Sequence, residues 1–454
     1  MKKFIQKLKE IWSIEELRRK IINTLIFLLV YRIGTFIILP GIDGSTLMGA
    51  LQKQTDGILG LVNIFAGGAF GRGAIFALGI MPYISASIVV QLLSIAVPYF
   101  QRLQKQEGED GRRKINQYTR VLTIAITAVQ AVGYLYNITS KQDNWGALLF
   151  HTDPTAMTEF MFMLVNVTLL VAGTMFTMWL GEKITDKGLG NGISLIIMIG
   201  IIDRLPEALG FELDQRFQKG GLPLFIIEII FWLIVIVSTI LLIQGVRKIS
   251  VNYAKRIEGN RMSGGARQYI PLKVNAAGVM PIIFAQAIMF LPPTIAQSMQ
   301  SPPGSFLNAL SDYGSFAYNA VFAILIIAFT YFYTAITINP NQMAEDMKKN
   351  GGFIPGVKPG KQTSEYIDNV MSRITFPGSL FLAGIAILPS IAMLFGISQN
   401  FAQFFGGTSL LIMVGVVLDT LQQIESYLLM RHYDGLMKSG RIKGRSGALQ
   451  QQSI

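Results

Sequence analysis

The sequence predicts an all-α integral membrane protein with about ten transmembrane helices. Three observations predict this class. Only 15% of the 454 residues are charged and 51% are apolar or aromatic, with a mean hydropathy of +0.46, whereas about a quarter of a soluble protein is charged. Apolar runs long enough to cross a hydrocarbon core, which takes roughly 20 residues, recur along the chain. Positive charge is concentrated in alternate connections between these runs.

The apolar runs define the spans and their arrangement. We predict spans over residues 21–39, 75–97, 115–138, 157–180, 190–203, 222–245, 275–297, 317–338, 374–395 and 406–430. Two halves of five spans each must enter the membrane in opposite senses, because five is odd. The sequence therefore predicts two inverted halves, residues 21–218 and 219–430, with a pathway at their interface near the midplane.

The distribution of lysine and arginine predicts the orientation. The N-terminus, residues 98–114, 181–189, 246–273 and 339–373, and the C-terminus hold 31 of the 39 basic residues. The opposite connections hold six: Lys53, Arg72, Lys141, Arg204, Arg216 and Lys219. Because basic loops stay in the cytoplasm, both termini are predicted to be cytoplasmic. Arg32 and Arg120 lie within spans; we expect Arg32 to have a structural ion-pair partner and Arg120 to snorkel to the surface.

The two ends of the chain are predicted to lie outside the bilayer. Residues 1–20 form a predicted amphipathic helix on the cytoplasmic surface, with a solvated leader as the alternative. Its apolar face holds Phe4, Ile5, Leu8, Ile11 and Trp12. Residues 431–454 form a predicted cytoplasmic tail.

Composition argues against catalysis. The chain has no cysteine, which excludes disulfides, thiolate nucleophiles and cysteine-ligated metals. Its two histidines, His151 and His432, are far apart, so we expect no metal and no cofactor. A secondary transporter is the main alternative, but it would need ionisable side chains at the midplane. An intramembrane protease is a more distant alternative, because the chain lacks its motifs.

Residues 57–74 are apolar but too short and too rich in glycine to cross a bilayer. Non-spanning backbone at membrane depth is tolerated only where protein or a water-filled cavity surrounds it. We therefore predict a short re-entrant segment beside a cavity on the outer side.

Two long stretches carry a family resemblance. Residues 75–93 and 179–197 resemble the two signatures of the SecY family, the channel subunits of the general protein-secretion translocon. The likeness extends from about residue 12 to 445 and is closer to bacterial members. Further matches lie at 31–34, 40–43, 111–114, 252–256, 271–275, 352–356 and 406–411. Within the signatures, Gly188–Gly192 could be mistaken for a dinucleotide loop, but no strand precedes it, and a tight glycine turn fits better. Pro82 would kink its helix by removing a backbone hydrogen bond.

The resemblance implies a protein-conducting channel for secretory polypeptides, which also releases membrane segments laterally into lipid. Positions matching the family's pore ring are Ile80, Ile84, Ile193, Ile197, Ile283 and Ile412. The first four form two pairs spaced four residues apart, so each pair lies on one helical face. A ring of bulky aliphatic side chains can hold back ions by dewetting. Without the resemblance these would be interpreted as ordinary lipid-facing or core isoleucines.

The resemblance also implies a plug and a lateral gate. The plug helix that seals the ring from outside matches residues 61–74. The plug positions of interest are Asn63, Phe65, Gly67, Gly68, Phe70 and Arg72. Gln91 and Asn275 match polar positions lining the gate, where bonds across helices are worth about 0.6–2 kcal/mol. Ordinary interhelical hydrogen bonding without a hinge is the alternative for this pair.

Two basic loops, residues 246–273 and 339–373, match the family's cytoplasmic docking loops. Lys255, Arg256 and Arg261 match ribosome-facing positions, where contact with RNA phosphates gives salt-dependent affinity. Lys358 replaces the arginine usual in the second loop and lacks its bidentate fork. A solvated loop that only sets topology is the alternative.

The resemblance implies a bacterial plasma (inner) membrane location and a set of partners. These are the small membrane subunits SecE and SecG, the motor ATPase SecA, the ribosome with its RNA and exit-site proteins, signal sequences, nascent polypeptides and membrane lipids.

Overall fold

The computed structural model is predominantly helical. It describes residues 9, 11–47, 63, 65–105, 108–140, 148–149, 158–218, 221–253, 256–258, 261–263, 267–289, 309–310, 312 and 314–438. The helices are α1 (Glu15–Gly34), α2 (Ala69–Arg72), α3 (Met81–Ala96), α4 (Pro98–Lys105), α5 (Gly108–Ser140), α6 (Glu159–Lys187), α7 (Gly192–Gln218), α8 (Leu222–Gln244), α9 (Met280–Met289), α10 (Phe316–Thr337), α11 (Pro340–Lys349), α12 (Lys361–Leu394), α13 (Gln399–Ala402) and α14 (Gly407–Lys438). The strands are β1 (Val246–Tyr253), β2 (Arg256–Glu258), β3 (Arg261–Ser263), β4 (Arg267–Lys273) and β5 (Gly352–Phe353).

The chain forms two compact units. Unit 1 holds the described residues up to Asp203 together with the chain from Val416 onward, and unit 2 holds Arg204–Gly415. The boundary falls inside α7, and most of α14 belongs with unit 1. The division into inverted halves at residues 218 and 219 stays a prediction.

Six helical stretches in the described part of the chain are long and apolar enough to cross a membrane. They are α5, α6, α8, α10 with α11, α12, and α13 with α14. The other four predicted spans correspond to α1, α3, α7 and α9. Each has a local reason for a weaker signal: α1 begins with charged turns, α3 has 16 residues, α7 contains Asp203 and Arg204, and the described part of α9 has 10 residues.

Residues 1–8 and 10 of the predicted N-terminal surface helix lie outside the described residues. Residues 11–13 are helical, and Trp12 is exposed. Ile14 then adopts an extended conformation, with φ −89° and ψ 109°, before α1 begins at Glu15. The first span is therefore preceded by a separate helical segment rather than continuous with it.

The core of unit 1 gathers apolar side chains from several distant segments. Leu39, Leu78, Leu135 and Phe162 are all buried in one cluster, and Phe70 from the re-entrant segment packs against it. Burying such side chains away from water contributes roughly 1.5–3 kcal/mol each. This cluster supports the re-entrant segment from within unit 1.

Unit 2 contains a small sheet that the sequence did not predict. Its strand order is β4-β1-β5, and all the pairings are antiparallel. Alternate residues of β1, Ile249 and Val251, are buried against Leu272 of β4, Met347 of α11 and Ile367 of α12. Because β5 comes from residues 352–353, the two predicted docking loops form one packed body.

Candidate functional site

Four of the six predicted ring isoleucines lie in unit 1. Ile80 immediately precedes α3, and the backbone N–H of Ile84 donates to its carbonyl at 3.1 Å. Ile193 and Ile197 lie in the first two turns of α7. Ile80 and Ile197 are buried, and the other two are half-buried. Each pair lies on one face of its helix, as the spacing predicts.

The remaining two ring isoleucines lie in unit 2. Ile283 is a half-buried residue of α9, and Ile412 is a buried residue of α14. The closed ring of six stays a prediction, because its members belong to separate units.

The first signature begins α3 later than the apolar run predicts. Residues 74–80 form a bridge and turns, with Gly79 at φ 54°, and α3 begins at Met81. Pro82 is therefore in the first helical turn, where its missing N–H removes no helical hydrogen bond. The predicted kink at Pro82 is wrong for this reason. The proline instead helps to fix where the helix starts, directly after Ile80.

A row of aromatic rings holds this turn in place. Phe76 stacks on Tyr31 of α1 at 5.8 Å and on Phe176 of α6 at 6.0 Å, and Phe176 stacks on Trp179 at 5.6 Å. Gly34 makes room for the row, since a Cβ there would overlap the Phe76 ring. The start of the first signature is thus clamped between α1 and α6.

The described part of the predicted plug, residues 63 and 65–74, is a compact turn with one short helix. The Asn63 side chain accepts from the Gly71 N–H at 2.9 Å, and its carbonyl accepts from the Gly68 N–H at 2.8 Å. Gly67 and Gly68 have φ of 60° and 79°, a conformation that L side chains rarely adopt. Phe65 is buried. The glycines are therefore required by the turn that closes this segment on itself.

The predicted plug is also bound to the segments around it. The Tyr134 hydroxyl of α5 donates to the Phe70 carbonyl at 2.7 Å, and the two rings lie 4.6 Å apart. The guanidinium of Arg72 lies 4.5 Å from the centre of the Phe36 ring, a cation–π distance. The Leu39 N–H donates to the Gly73 carbonyl at 2.8 Å.

The second signature turns tightly between α6 and α7. Gly190 has φ 74°, and its N–H donates to the Gln423 side chain of α14 at 2.9 Å. The Thr24 hydroxyl of α1 accepts from the Leu189 N–H at 3.0 Å. Asn191 accepts from the first amides of α7. The predicted glycine turn is confirmed, and it ties α1 to α14.

The two predicted gate residues differ in environment. Gln91 of α3 donates to Ser87 of its own helix at 3.2 Å and is half-buried. Asn275 lies in the turn between β4 and α9 and is buried, and its Oδ1 makes no hydrogen bond within the described structure. An unmet buried carbonyl is unfavourable by roughly 1–3 kcal/mol. Gln91 belongs to unit 1 and Asn275 to unit 2, so their pairing stays a prediction.

The predicted docking residues lie on and near the sheet of unit 2. Arg256 and Arg261 lie in the small β2–β3 hairpin, opposite Ser263 and Glu258. Lys255 lies outside the described residues. Lys358 is exposed in the turn between β5 and α12, and its carbonyl accepts from the Thr363 hydroxyl at 2.9 Å.

The two arginines within spans both have carboxylate partners. Arg32 pairs with Asp203 at 2.5 Å, which confirms the expected structural pairing. Arg120 forms a two-bond ion pair with Glu182 of α6, at 2.8 and 3.3 Å. The second signature therefore supplies a counter-charge beside Arg120, and the expectation that this side chain snorkels to the surface stays a prediction.

A third charged group was not anticipated. Arg216 pairs with Glu212 at 3.0 Å and with Glu228 at 2.6 Å, and it donates to the Gly396 carbonyl at 2.8 Å. Glu212 also accepts from the Ser398 N–H. Glu228, the one charged residue of the otherwise apolar α8, was the available signal. This network joins α7 and α8 to the turn after α12.

The described residues contain no group of three or more histidine, aspartate or glutamate side chains arranged to hold a metal.

Comparisons with known proteins relate the chain to one family. The family's sequence model, described as SecY, matches residues 74–421. Relatives named protein translocase subunit SecY include that of Chlamydia trachomatis, 41% identical over 96% of this chain and 99% of the relative. The subunit of Aquifex aeolicus is 41% identical over 95% of this chain and 99% of its own length. The subunit of Halalkalibacterium halodurans is 46% identical over 95% of this chain and 99% of its own length.

Solved structures show the same fold. One described as a protein conducting channel superposes with a TM-score of 0.61 at 20% identity, covering 90% of this chain and 92% of its own. Sec61 from the canine ribosome-channel complex of the endoplasmic reticulum gives a TM-score of 0.57 at 18% identity, covering 90% and 92%.

Proposed function

The chain belongs to the SecY family and is a protein-conducting channel subunit, and from this premise we propose how its own residues seal, open and dock. In the proposal, extended secretory polypeptides cross the bacterial plasma membrane through a pore that the six isoleucines constrict. Membrane segments leave sideways between α3 and α9. The chain acts as a transport channel rather than a catalyst, so energy comes from the partners that dock on it.

The observation that carries this proposal is the near full-length relation to translocase subunits at 41–46% identity. The local structure supports it at the seal. Ile80 and Ile84 sit at a helix start that the aromatic row fixes, and Ile193 and Ile197 follow a turn that α1 and α14 hold. A narrow aliphatic constriction on rigid supports can exclude water and ions, yet yield to a passing chain.

The orientation and partners are part of the proposal. The basic loops support an orientation with both termini in the cytoplasm. The small subunits SecE and SecG would bind the chain within the membrane. The ribosome and the motor ATPase SecA would share the docking body formed by the β4-β1-β5 sheet. A relative of known structure, Sec61, was solved in a ribosome-channel complex, which supports a ribosome partner here.

A vesicle assay tests the channel and its motor contact together. Proteoliposomes holding the chain, the two small subunits and the motor are expected to import a secretory precursor when ATP is added. Lys358→Glu should reduce import and motor ATPase stimulation, because it reverses an exposed charge in the docking body. Lys361→Glu is the matched control, since that side chain is 90% exposed three residues away. Failure of the parent to import would refute the proposed function.

Ribosome co-sedimentation across a salt series tests the other contact in the same experiment. Changing Lys255, Arg256 and Arg261 to glutamate should weaken binding and flatten its salt dependence, by up to about one unit of slope per lost phosphate contact. The matched control reverses Arg112, Arg113 and Lys114 in another basic segment. An unchanged salt curve in the first variant would favour a loop that only sets topology.

Asn275 provides a test of lateral release. Asn275→Leu keeps the number and branching of the side-chain heavy atoms and removes the buried Oδ1. We expect it to shift the hydrophobicity that a signal sequence needs by about 1 kcal/mol, because a polar group of the proposed gate is lost. A reporter series of graded signal sequences measures the threshold. Thr330→Val is the control, since that hydroxyl bonds within α10. Equal thresholds at equal expression would exclude the gate role.

A further inference from the structure

One ion pair of unit 1 lies beside the predicted plug. Arg32, in the last turn of α1, pairs with Asp203 of α7 at 2.5 Å. The same guanidinium donates from Nη1 to the Gly67 carbonyl of the plug at 3.3 Å. One side chain therefore connects three segments: the first span, the plug and α7.

Phe36 strengthens this connection. The Arg32 guanidinium lies 4.6 Å from the centre of the Phe36 ring, and the Arg72 guanidinium lies 4.5 Å from the same centre. Each contact is a cation–π interaction, worth about 0.5–1 kcal/mol when exposed and more when desolvated. Since Arg72 ends the short plug helix, Phe36 links the two ends of the plug turn to the residues just after α1.

The backbone of the plug is paired with the same stretch. The Leu39 N–H donates to the Gly73 carbonyl, and the Ile75 N–H donates to the Ile37 carbonyl, both at 2.8 Å. A Cβ on Gly67 would lie 3.3 Å from the Cα of Gly200, which is three residues before Asp203 in α7. The plug turn thus touches α7 next to the aspartate.

Asp203 determines what Arg32 can do. A guanidinium at membrane depth needs a counter-charge or water, and a bond to an ionised partner is about twice as strong as a neutral one. With the carboxylate in place, the guanidinium is fixed where Nη1 reaches the Gly67 carbonyl. Without it, the cation would turn toward water and release the plug.

We infer that Arg32 and Asp203 form a latch that holds the plug closed against unit 1 in the idle channel. They act as positioning residues of the seal, and the inference rests on the proposed function of residues 61–74 as a plug. When the plug is displaced, the hydrogen bond from Arg32 to the Gly67 carbonyl must break. The ion pair between Arg32 and Asp203 can remain, so the guanidinium is still in position to bind the plug when it returns.

The absence of cysteine from the sequence allows a direct test. In the variant Phe65→Cys, the new thiol replaces a plug side chain that is only 5% exposed. Idle channels in membranes are treated with a membrane-impermeant maleimide, and the labelling rate is measured. Adding Asp203→Asn is expected to raise this rate about tenfold, the effect of losing one charge-assisted bond, and to raise idle ion conductance in planar bilayers. Asp203→Glu, which keeps the charge, should restore both towards the parent values.

Two controls separate a latch from general loosening. Glu182→Gln removes the partner of Arg120, an ion pair of the same kind at 2.8 Å between α5 and α6, and should leave Phe65→Cys labelling unchanged. Leu135→Cys, at a fully buried core position, should stay unreactive when Asp203→Asn is added. Equal labelling with and without Asp203→Asn would overturn the latch, as would labelling of Leu135→Cys or an equal rise with Glu182→Gln.

Precursor import by the same variants distinguishes the two levels of the proposal. Unchanged plug labelling in an importing channel would refute the latch and leave the proposed function intact. A parent that imports nothing would refute the proposed function, while labelling would still report whether Asp203 holds the segment.

Discussion

Replacing four ring residues by glycine, at Ile80, Ile193, Ile283 and Ile412, is expected to make the idle channel conduct ions. Each change removes a bulky aliphatic side chain from the proposed constriction. Water then wets the pore, and the barrier that a dry hydrophobic gap presents to ions is lost. Idle conductance in planar bilayers should rise on the order of tenfold or more over the parent.

The control for this experiment uses isoleucines of α8 with exposed side chains. Ile227 and Ile234 are 60% and 56% exposed, as expected for positions that face lipid. Their replacement by glycine should leave the idle channel tight. A four-residue variant as tight as the parent would refute the ring, and the isoleucines would then be ordinary helix-packing or lipid-facing residues.

The second large effect is expected at Gly192, where α7 begins. A Cβ there would lie 2.0 Å from the Gly181 carbonyl of α6 and 2.7 Å from the Ile184 Cβ. Backbone cannot yield as a side chain can, so Gly192→Ala must separate the two helices. We expect the free energy of unfolding to fall by about 3 kcal/mol, the upper range for overpacking. The unfolding temperature in detergent should fall with it.

Gly210 in the same helix provides the matched comparison. An added Cβ meets nothing within 4 Å there, and alanine is favoured over glycine in a helix by about 0.5–1 kcal/mol. Gly210→Ala should therefore leave the unfolding temperature unchanged or raise it. If both variants unfold at the same temperature, the close approach of α6 and α7 at the second signature is not what requires glycine.

The β4-β1-β5 sheet connects the two proposed docking loops to Asn275 of the proposed gate. β4 ends at Lys273, and the Val274 N–H donates to the Gly245 carbonyl at 2.8 Å, directly before Asn275. Gly378 of α12 allows a close approach here, since a Cβ would lie 3.0 Å from the Val274 carbonyl. A partner bound to either of the proposed docking loops would therefore contact a body that is continuous with the start of α9.

The sequence alone determined the fold class of this protein and predicted on which side of the membrane each connection lies. Apolar length and the placement of lysine and arginine are local properties, and the bilayer responds to them segment by segment. The same kind of reasoning identified the glycine turn at Gly190, because a positive φ in a short connection is a local requirement. It also predicted that Arg32 needs a partner, since an isolated guanidinium in a span is unfavourable.

Only the tertiary structure decided which partners are used. Asp203 and Glu182 became the partners of Arg32 and Arg120 because packing brings helices that are distant in sequence into contact. The sheet that joins residues 246–253 to 352–353 depends on a strand pairing across about a hundred residues, and β-pairing depends more on context than helix formation does. Pro82 changed from a predicted kink to a helix start because residues 75–80 fold as turns, which leaves the proline in the first turn of α3. Local sequence patterns predict that a segment needs a counter-charge or a turn. Long-range packing decides which residue, among several suitable ones, becomes the partner.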